Sequence, residues 1–254
     1  MRSPITTSSE HIHLPDFVDR GIVISCEHGG NHIPLEYQHL FQPHQGLLNT
    51  HRGYDMGALT MAKMLATALK APLVSATVSR LLTDLNRSQG HPQLHAEFIR
   101  SLPAETRERI VRKYYQPYRQ RAEYLVRQTI AHHGKVIHLS SHSFTPQLYG
   151  VIRNADIGLL YDPAYPAEIE LGLRWKSVLK RLAPHLRVRR NYPYAGKNDG
   201  LTSWFRAHLP AGSYTGIELE INQRLITGNR QQWAALRQLI VVSFMETTMP
   251  AGVN

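Results

Sequence analysis

Two hydrophobic patterns alternate along most of the chain. Short apolar, β-branched runs predict strands over 21–26, 72–78, 136–139, 150–160 and 213–222, and at the start of 187–196. Apolar residues at helical spacing predict helices over 55–69, 95–133, 165–182 and 228–246. This alternation is typical of an α/β protein, and we predict a three-layer α/β/α sandwich with a mixed, mostly parallel central sheet. We expect one catalytic domain over 18–250, after a flexible arm over 1–17.

Glycine and proline residues set the expected limits of the helical pattern over 95–133. Pro103 marks one helix start, and Gly134 stands where a helix commonly ends. Pro117 lies inside the pattern and should kink or divide it, because proline lacks a backbone N–H group. The stretch 35–50 is polar, and we expect it to contain one short helix.

Composition restricts the class of protein. The chain has 254 residues, of which 42% are hydrophobic, and this is enough for a substantial core. It contains no apolar run of about 18 residues and no apolar signal segment near its start, so we predict a cytoplasmic enzyme without a membrane span. The one cysteine, Cys26, excludes an internal disulfide and a multi-cysteine zinc site. The sequence does not indicate the oligomeric state.

The net charge of +10 suggests nucleic acid as one possible partner. However, the arginines between 107 and 127 alternate with glutamates, as on a solvated helix face, and no nucleic-acid-binding motif is visible. We therefore expect no nucleic-acid partner. A positive field also attracts small anionic substrates.

The first strand ends in a loop rich in ligand-type side chains. The stretch 21–34 reads GIVISCEHGGNHIP, so Glu27, His28 and Asn31 directly follow the apolar run. Ligands in α/β proteins bind beyond the carboxyl ends of the strands, which makes this loop a candidate site. The alternative is a loop whose polar side chains cap the next helix.

Two further histidines stand near predicted element ends. His51 and Asp55 are four residues apart and would share a helix face, although Asp55 is also a good helix N-cap. His142 follows the strand over 136–139 and is a ligand candidate. His138 lies within that strand, where a core or surface role is the better interpretation.

A loop with arginine, asparagine and aspartate follows the second strand. Arg80, Asn86 and Arg87 suit the capture of a carboxylate. The alternative is a structural ion pair in which Asp84 holds Arg80 or Arg87.

Two carboxylates lie on one face of a late strand. Glu218 and Glu220 alternate with apolar residues, so both side chains point the same way. Such a pair is either solvated, bound to a cation, or has one carboxylate with a raised pKa. A solvated edge strand is the alternative.

These clusters together suggest metal-assisted hydrolysis. Catalytic zinc usually takes three protein ligands, of which histidine and carboxylate are common types, and His28, Asp55 and His142 form one such set. A nearby Glu218 or Glu220 would then serve as the base. The short HExxH motif is absent, so the ligands must come from separate loops.

Seven segments in order resemble the N-formylglutamate amidohydrolase family over roughly 20–245. They are CEHGGNHIP, HRGYDMGA, VSRLLTDLNRS, the HS of SSHSF, RNADIGLL, NYPYAG and ELEINQ. The family is related in fold to zinc-dependent carboxypeptidases and aspartoacylases. The resemblance therefore implies a phosphorylase/hydrolase-like, zinc-exopeptidase-like sandwich.

The resemblance also implies roles for individual residues. His28 and His142 match the two zinc-binding histidines of the related peptidases, while Asn31 occupies the position of their ligand glutamate. We expect Asp55 to replace that acid. The fallback ligands are Glu27 and His51, and the cofactor is zinc or another divalent metal ion.

The resemblance also implies a substrate site that prefers anionic ligands. The assigned substrate-binding residues are Asn31, Arg80, Asn86, Arg87, Arg153 and Asn191. Asn86 and Arg87 match a motif that binds the terminal carboxylate, and Arg80 and Arg153 resemble arginines that could hold a second one. Glu220 best matches the general base, followed by Glu218.

The implied reaction is hydrolysis of the amide of a small anionic N-acyl amino acid, N-formyl-L-glutamate giving formate and glutamate. One alternative is a related metallo-amidase or carboxypeptidase-like enzyme that acts on another acylated amino acid or a peptide. Another is a non-catalytic basic binding protein on the same fold. The first two share every site residue, and intact candidates in all the clusters argue against the third.

Overall fold

The computed structural model describes residues 21–249, so the predicted arm over 1–17 and the predicted domain limits at 18 and 250 lie outside the described residues. The strands are β1 (Ile22–Cys26), β2 (Leu73–Ser75), β3 (Val136–Phe144), β4 (Gln147–Leu148), β5 (Val151–Ile152), β6 (Ile157–Leu160), β7 (Val188–Arg190) and β8 (Tyr214–Asn222). The helices are α1 (Gln38–Phe41), α2 (Gln45–Leu48), α3 (Ala58–Leu69), α4 (Glu97–Arg100), α5 (Ala104–Ile110), α6 (Gln116–His133), α7 (Pro166–Leu182), α8 (Leu201–His208), α9 (Arg224–Thr227) and α10 (Arg230–Thr248). No helix within 21–249 is long and apolar enough to cross a membrane.

Six strands form the central sheet in the order β2-β1-β3-β8-β6-β7. The neighbours β2, β1, β3 and β8 run parallel, whereas β6 runs antiparallel to β8 and parallel to β7. The predicted mixed, mostly parallel sheet is therefore confirmed. Because β1, β3 and β8 are parallel neighbours, their carboxyl ends meet at one edge of the sheet.

Helices cover both faces of this sheet and complete the three layers. One face packs against α3, α7 and α10 through Met61, Trp175 and Phe244. The other face packs against α6 and α8 through Leu125 and Phe205. Burial of each such side chain contributes about 1.5–3 kcal/mol, so the two apolar layers hold the sheet between them.

The long helical pattern over 95–133 is divided into α4, α5 and α6, with a π-helical segment at Val111–Tyr115. Pro117 lies in the first turn of α6. This turn directly follows the π-helical segment, and the backbone stays in the right-handed helical region at Ile110, Val111, Tyr115 and Gln116, so the helical path continues from α5 into α6. Pro117 therefore does not end a helix, and a kink at this position stays a prediction, whereas Gly134 ends α6 with a φ of 75° as expected.

The structure departs from the prediction at several elements. The stretch 35–50 contains two short α-helices, α1 and α2, instead of one, and the predicted strand over 150–160 is two separate strands, β5 and β6. β3 extends to Phe144 instead of ending at residue 139, because the polar stretch 140–143 is buried in the middle of the sheet. His142 therefore lies within β3 and not beyond its end. The helix α8 was not predicted, and its buried contacts come from only Leu201, Thr202 and Phe205.

A buried histidine links polar side chains beneath α6 and α8 through hydrogen bonds. His138 is fully buried, with Nδ1 2.7 Å from the Tyr214 hydroxyl and Nε2 2.8 Å from Ser25 Oγ. This is the core role preferred from the sequence. Burial lowers the pKa of His138 to about 4, so the ring is neutral at pH 7.

We expect His138 to make the fold sensitive to mild acid. Between pH 6.5 and pH 4 the unfolded chain binds a proton at this ring and the folded chain does not, so stability falls as the pH drops. The loss amounts to about 2 kcal/mol between pH 7 and pH 5. Urea unfolding at both pH values should show that His138→Gln lacks this part of the pH dependence. The exposed His185→Gln is the control, and an unchanged pH dependence in His138→Gln would contradict the expectation.

Candidate active site

The carboxyl ends of three parallel strands bring the candidate chemistry together. His28 follows β1, His142 lies near the end of β3, and Glu218 and Glu220 lie near the end of β8. His142 is the register partner of Glu220 across β3 and β8. Residues that are far apart in the sequence therefore reach one edge of the sheet.

His28, Asp55 and His142 form a compact buried group. Asp55 Oδ2 lies 3.4 Å from His28 Nδ1 and 2.8 Å from His142 Nδ1. One ligand atom from each of the three residues can be chosen so that all lie within 4.8 Å of one another. The three ligands predicted from the sequence are thus adjacent.

A second carboxylate lies behind each imidazole ring. His28 Nε2 is 2.6 Å from Asp84 Oδ1, and His142 Nε2 is 3.1 Å from Glu27 Oε2. Such a carboxylate fixes the tautomer and orientation of a ligand histidine and raises its basicity. Both Nδ1 atoms therefore point towards Asp55. Glu27, which the sequence suggested as a fallback ligand, lies on the opposite side of His142 from Asp55.

Charge complementarity stabilises this group. Burial alone would raise the pKa of Asp55, but His28, His142 and Arg80 together hold it well below its usual range. Burial alone would lower the pKa of His142, yet its contacts with Asp55 and Glu27 raise it well above the usual value. A cation in place of the His142 proton would meet the same negative environment.

Asp84 was not assigned to the site from the sequence. It receives hydrogen bonds from Arg80 Nη2 at 2.7 Å and Nε at 3.2 Å, while Arg80 Nη1 donates to Asp55 Oδ1 at 3.3 Å. This is the structural ion pair considered as the alternative for this loop. The available signal was its position as the aspartate of the Asp-x-Asn-Arg motif, two residues before Asn86.

The two glutamates of β8 have different surroundings. Thr202 donates its hydroxyl to Glu218 Oε1 at 2.6 Å. Glu220 is 5% exposed, and its Oε2 atom is buried without a hydrogen-bond partner within 21–249. Burial raises the pKa of Glu220 to about 8. β8 is a central strand, so the alternative of a solvated edge strand is wrong.

One cavity of 690 Å³ joins these groups, and we call it the active-site cavity. The predicted site residues that line it are His28, His51, Asp55, Arg80, Asn86, Arg87, His142, Glu218 and Glu220. Arg87 Nη1 donates to the Asp199 carbonyl oxygen at 3.0 Å, and Asn86 Oδ1 accepts from Leu201 N at 2.7 Å. These contacts tie the loop after β2 to α8 across the cavity.

A sequence profile of the N-formylglutamate amidohydrolase family matches residues 20–227. The chain belongs to this family. No curated protein sequence matches the chain. Among solved structures, a gene product of Agrobacterium tumefaciens is similar with a TM-score of 0.77 and 27% identity over 90% of both chains. An N-formylglutamate amidohydrolase from Ralstonia eutropha JMP134 shares the fold with a TM-score of 0.70 and 17% identity, over 90% of this chain and 93% of that one.

Three residues assigned to substrate binding do not line the cavity. Asn31 Nδ2 donates to Leu48 O at 3.1 Å, and Asn191 Oδ1 accepts from Tyr161 N at 3.0 Å. Arg153 donates to the Tyr194 hydroxyl at 3.0 Å. Substrate binding by these three residues stays a prediction.

The buried His28, Asp55 and His142 group fits a divalent metal ion. It offers two imidazole nitrogens and a carboxylate oxygen, which are donor types that catalytic zinc takes in sets of three. The carboxylates behind both rings supply the outer interactions that such ligands usually have. The unpartnered Glu220 oxygen in the same cavity is a further polar atom that a bound ion or water would satisfy.

The carboxylate behind His142 gives a direct test of this arrangement. We expect Glu27→Gln to weaken zinc binding by about 10–100-fold, because outer carboxylates raise the basicity of ligand histidines. His142→Ala should abolish it. Competition with a chromophoric chelator measures the affinity, and circular dichroism checks the fold. Glu123→Gln, at a partly exposed position of α6 where the glutamate pairs with Arg127, is the control. Wild-type affinity in both Glu27→Gln and His142→Ala would contradict the ligand set.

Proposed function

We propose that the protein is a metal-dependent amidohydrolase that cleaves N-acyl amino acids in the cytoplasm, with N-formyl-L-glutamate as its substrate. The family match supports amide hydrolysis. The observation that carries the proposal is the buried, unpartnered carboxylate of Glu220 in the same cavity as His28, Asp55 and His142. A candidate proton-transfer group and a candidate metal site thus line the same cavity.

His28, Asp55 and His142 would hold the metal ion. A divalent ion bound there polarises a carbonyl group and lowers the pKa of water towards about 7. Asp84 and Glu27 keep the two imidazole rings oriented from behind. Each ring is thus fixed by a partner on its Nε2 side, as a precise metal site requires.

Glu220 is our candidate for proton transfer. Its pKa of about 8 reflects burial in the protein without a bound cation. A cation in the cavity would favour the charged form and bring the pKa nearer to neutral, where a base works best. Glu218 is less suited, because its carboxylate already accepts the Thr202 hydroxyl.

The basic side of the cavity would hold the substrate carboxylates. Arg80 and Arg87 both line it, and Arg87 uses one of its nitrogens for the Asp199 carbonyl oxygen. The remaining N–H groups of Arg87 are available for a carboxylate, for which a guanidinium is geometrically suited. Asn86 adds an amide from the same loop.

The reaction balances with water as the only co-reactant. A water oxygen forms a bond to the acyl carbon while Glu220 takes up a proton. The carbon–nitrogen bond then breaks, and Glu220 returns the proton to the leaving nitrogen. The products are the carboxylic acid and the free amino acid, which are formate and glutamate for the proposed substrate.

Formate release from N-formyl-L-glutamate tests this function. We expect turnover by the zinc-loaded protein, and a decrease in kcat of about 10²–10⁴-fold in Glu220→Gln, because proton transfer is lost. The zinc content of Glu220→Gln should match the wild type. Glu218→Gln is the matched variant and should lose less activity.

Each negative result in this assay contradicts a different part of the proposal. Cleavage of other N-acyl amino acids without formate release from N-formyl-L-glutamate would replace the substrate but keep the amidohydrolase. Full activity of Glu220→Gln would contradict its role in proton transfer. A protein without turnover on any N-acyl amino acid, despite bound zinc, would contradict the proposed function.

A further inference from the structure

A second cavity, of 590 Å³, adjoins the active-site cavity. It lies between the loop 89–95 and the helices α4 and α5, and His95 and Arg100 line both cavities. We call this second cavity the basic groove. Its charged or titratable lining residues are His91, His95, Arg100, Arg107, Glu108 and Arg112.

Two arginines of the groove form no ion pair within 21–249. Glu108 pairs with Arg112 at 3.7 Å, which balances that arginine. Neither Arg100 nor Arg107 has a carboxylate within ion-pair distance in the part of the chain that the structure describes. Uncompensated guanidinium groups in a concave site attract anionic ligands.

Backbone contacts hold both of these arginines in place. Arg100 Nη1 donates to the Pro92 carbonyl oxygen at 2.9 Å, and Arg107 Nη1 donates to the Arg100 carbonyl oxygen at 3.2 Å. Each guanidinium is thus anchored through one nitrogen and keeps further N–H groups for a ligand. Because the side chains are already ordered, carboxylate binding costs less conformational entropy.

His95 adds a hydrogen-bond acceptor where the two cavities meet. Its Nδ1 lies 2.7 Å from the Leu82 carbonyl oxygen, which can only accept, so Nδ1 carries the proton. Nε2 is then an acceptor for an N–H group of a ligand. Burial lowers the pKa of His95, which keeps this neutral form at pH 7. An acceptor beside two cations suits a peptide that carries carboxylates.

The position of the groove indicates which part of a substrate would enter it. Its loop begins two residues after Arg87, our candidate for binding the amino-acid half of the substrate. Arg87 and Arg100 both line the active-site cavity, and Arg100 and Arg107 both line the basic groove, so a ligand that passes from one cavity to the other would contact Arg100 first. The active-site cavity alone has a volume within the range of about 300–1,000 Å³ that suits drug-sized ligands, so it has room for more than one acylated residue.

We propose that the enzyme takes N-acyl peptides with several carboxylates, with the acyl amide in the active-site cavity and the acidic peptide part in the basic groove. This proposal rests on the proposed function and extends its substrate class. Arg87 then meets the first residue of the peptide. Arg100 and Arg107 meet the carboxylates further along.

Two peptides of matched length test whether the basic groove binds the distal carboxylates of a substrate. N-formyl-Glu-Glu-Glu and N-formyl-Glu-Gln-Gln have the same length and differ only in the two distal charges. We expect kcat/KM for N-formyl-Glu-Glu-Glu to exceed that for N-formyl-Glu-Gln-Gln by about tenfold at low salt, with a smaller ratio at high salt, because surface charge is screened. Equal values at low salt would overturn the proposal.

One variant and its control assign this preference to the groove. Arg107→Gln should reduce the ratio of the two kcat/KM values by about threefold, roughly half of the tenfold preference on a free-energy scale, because Arg100 remains. Arg109→Gln removes the same charge from the same helix, but Arg109 does not line the groove, so the ratio should not change. An unchanged ratio in Arg107→Gln would contradict the assignment.

A binding measurement separates this proposal from the proposed function. The free peptide Glu-Glu-Glu should bind the wild-type protein more tightly than Glu-Gln-Gln in calorimetry, and Arg107→Gln should reduce this difference. This result is expected even if no formyl compound is cleaved, in which case only the proposed function fails. Cleavage of N-formyl-L-glutamate without any preference for the acidic peptides would support the proposed function. It would overturn the assignment of the basic groove to acidic peptides.

Discussion

The site depends on two buried imidazole rings, each held between two carboxylates. His28 lies between Asp55 and Asp84, and His142 lies between Asp55 and Glu27. Isolated charges buried in this way would be strongly destabilising, whereas paired and hydrogen-bonded charges are tolerated. The arrangement therefore exists only because several chain segments are held in register around it. Loss of one carboxylate would leave a ring free to turn its nitrogen away from Asp55.

The parallel part of the sheet supplies that register. β1, β3 and β8 are consecutive neighbours, so their carboxyl ends place His28, His142 and Glu220 at one edge. Apolar layers on both faces fix these strands, while the loop after β2 brings Asp84 beneath His28. The same loop contains Asn86 and Arg87, which places the basic side of the cavity next to the buried group.

The sequence predicted the layers and the sheet type, because hydrophobic periodicity is a local signal. It predicted the group of His28, Asp55 and His142 from their ligand chemistry and from the family resemblance. It did not predict α8, whose 8 residues are too few to establish a helical period, or the length of β3. The polar residues of that strand are buried by contacts with distant segments, such as the one from Ser140 Oγ to Glu27. The positions of Asp84 and Glu27 behind the rings also depend on tertiary contacts that no local pattern encodes.

The central claim is that both rings present Nδ1 to a metal ion while carboxylates hold Nε2. A crystal structure of the zinc-loaded protein with anomalous diffraction at the zinc edge tests it most directly. The account predicts one zinc peak about 2.0–2.2 Å from Nδ1 of His28, from Nδ1 of His142 and from an Asp55 oxygen, with Asp84 and Glu27 still on the Nε2 side. Zinc bound through either Nε2 atom, or bound elsewhere on the protein, would contradict it.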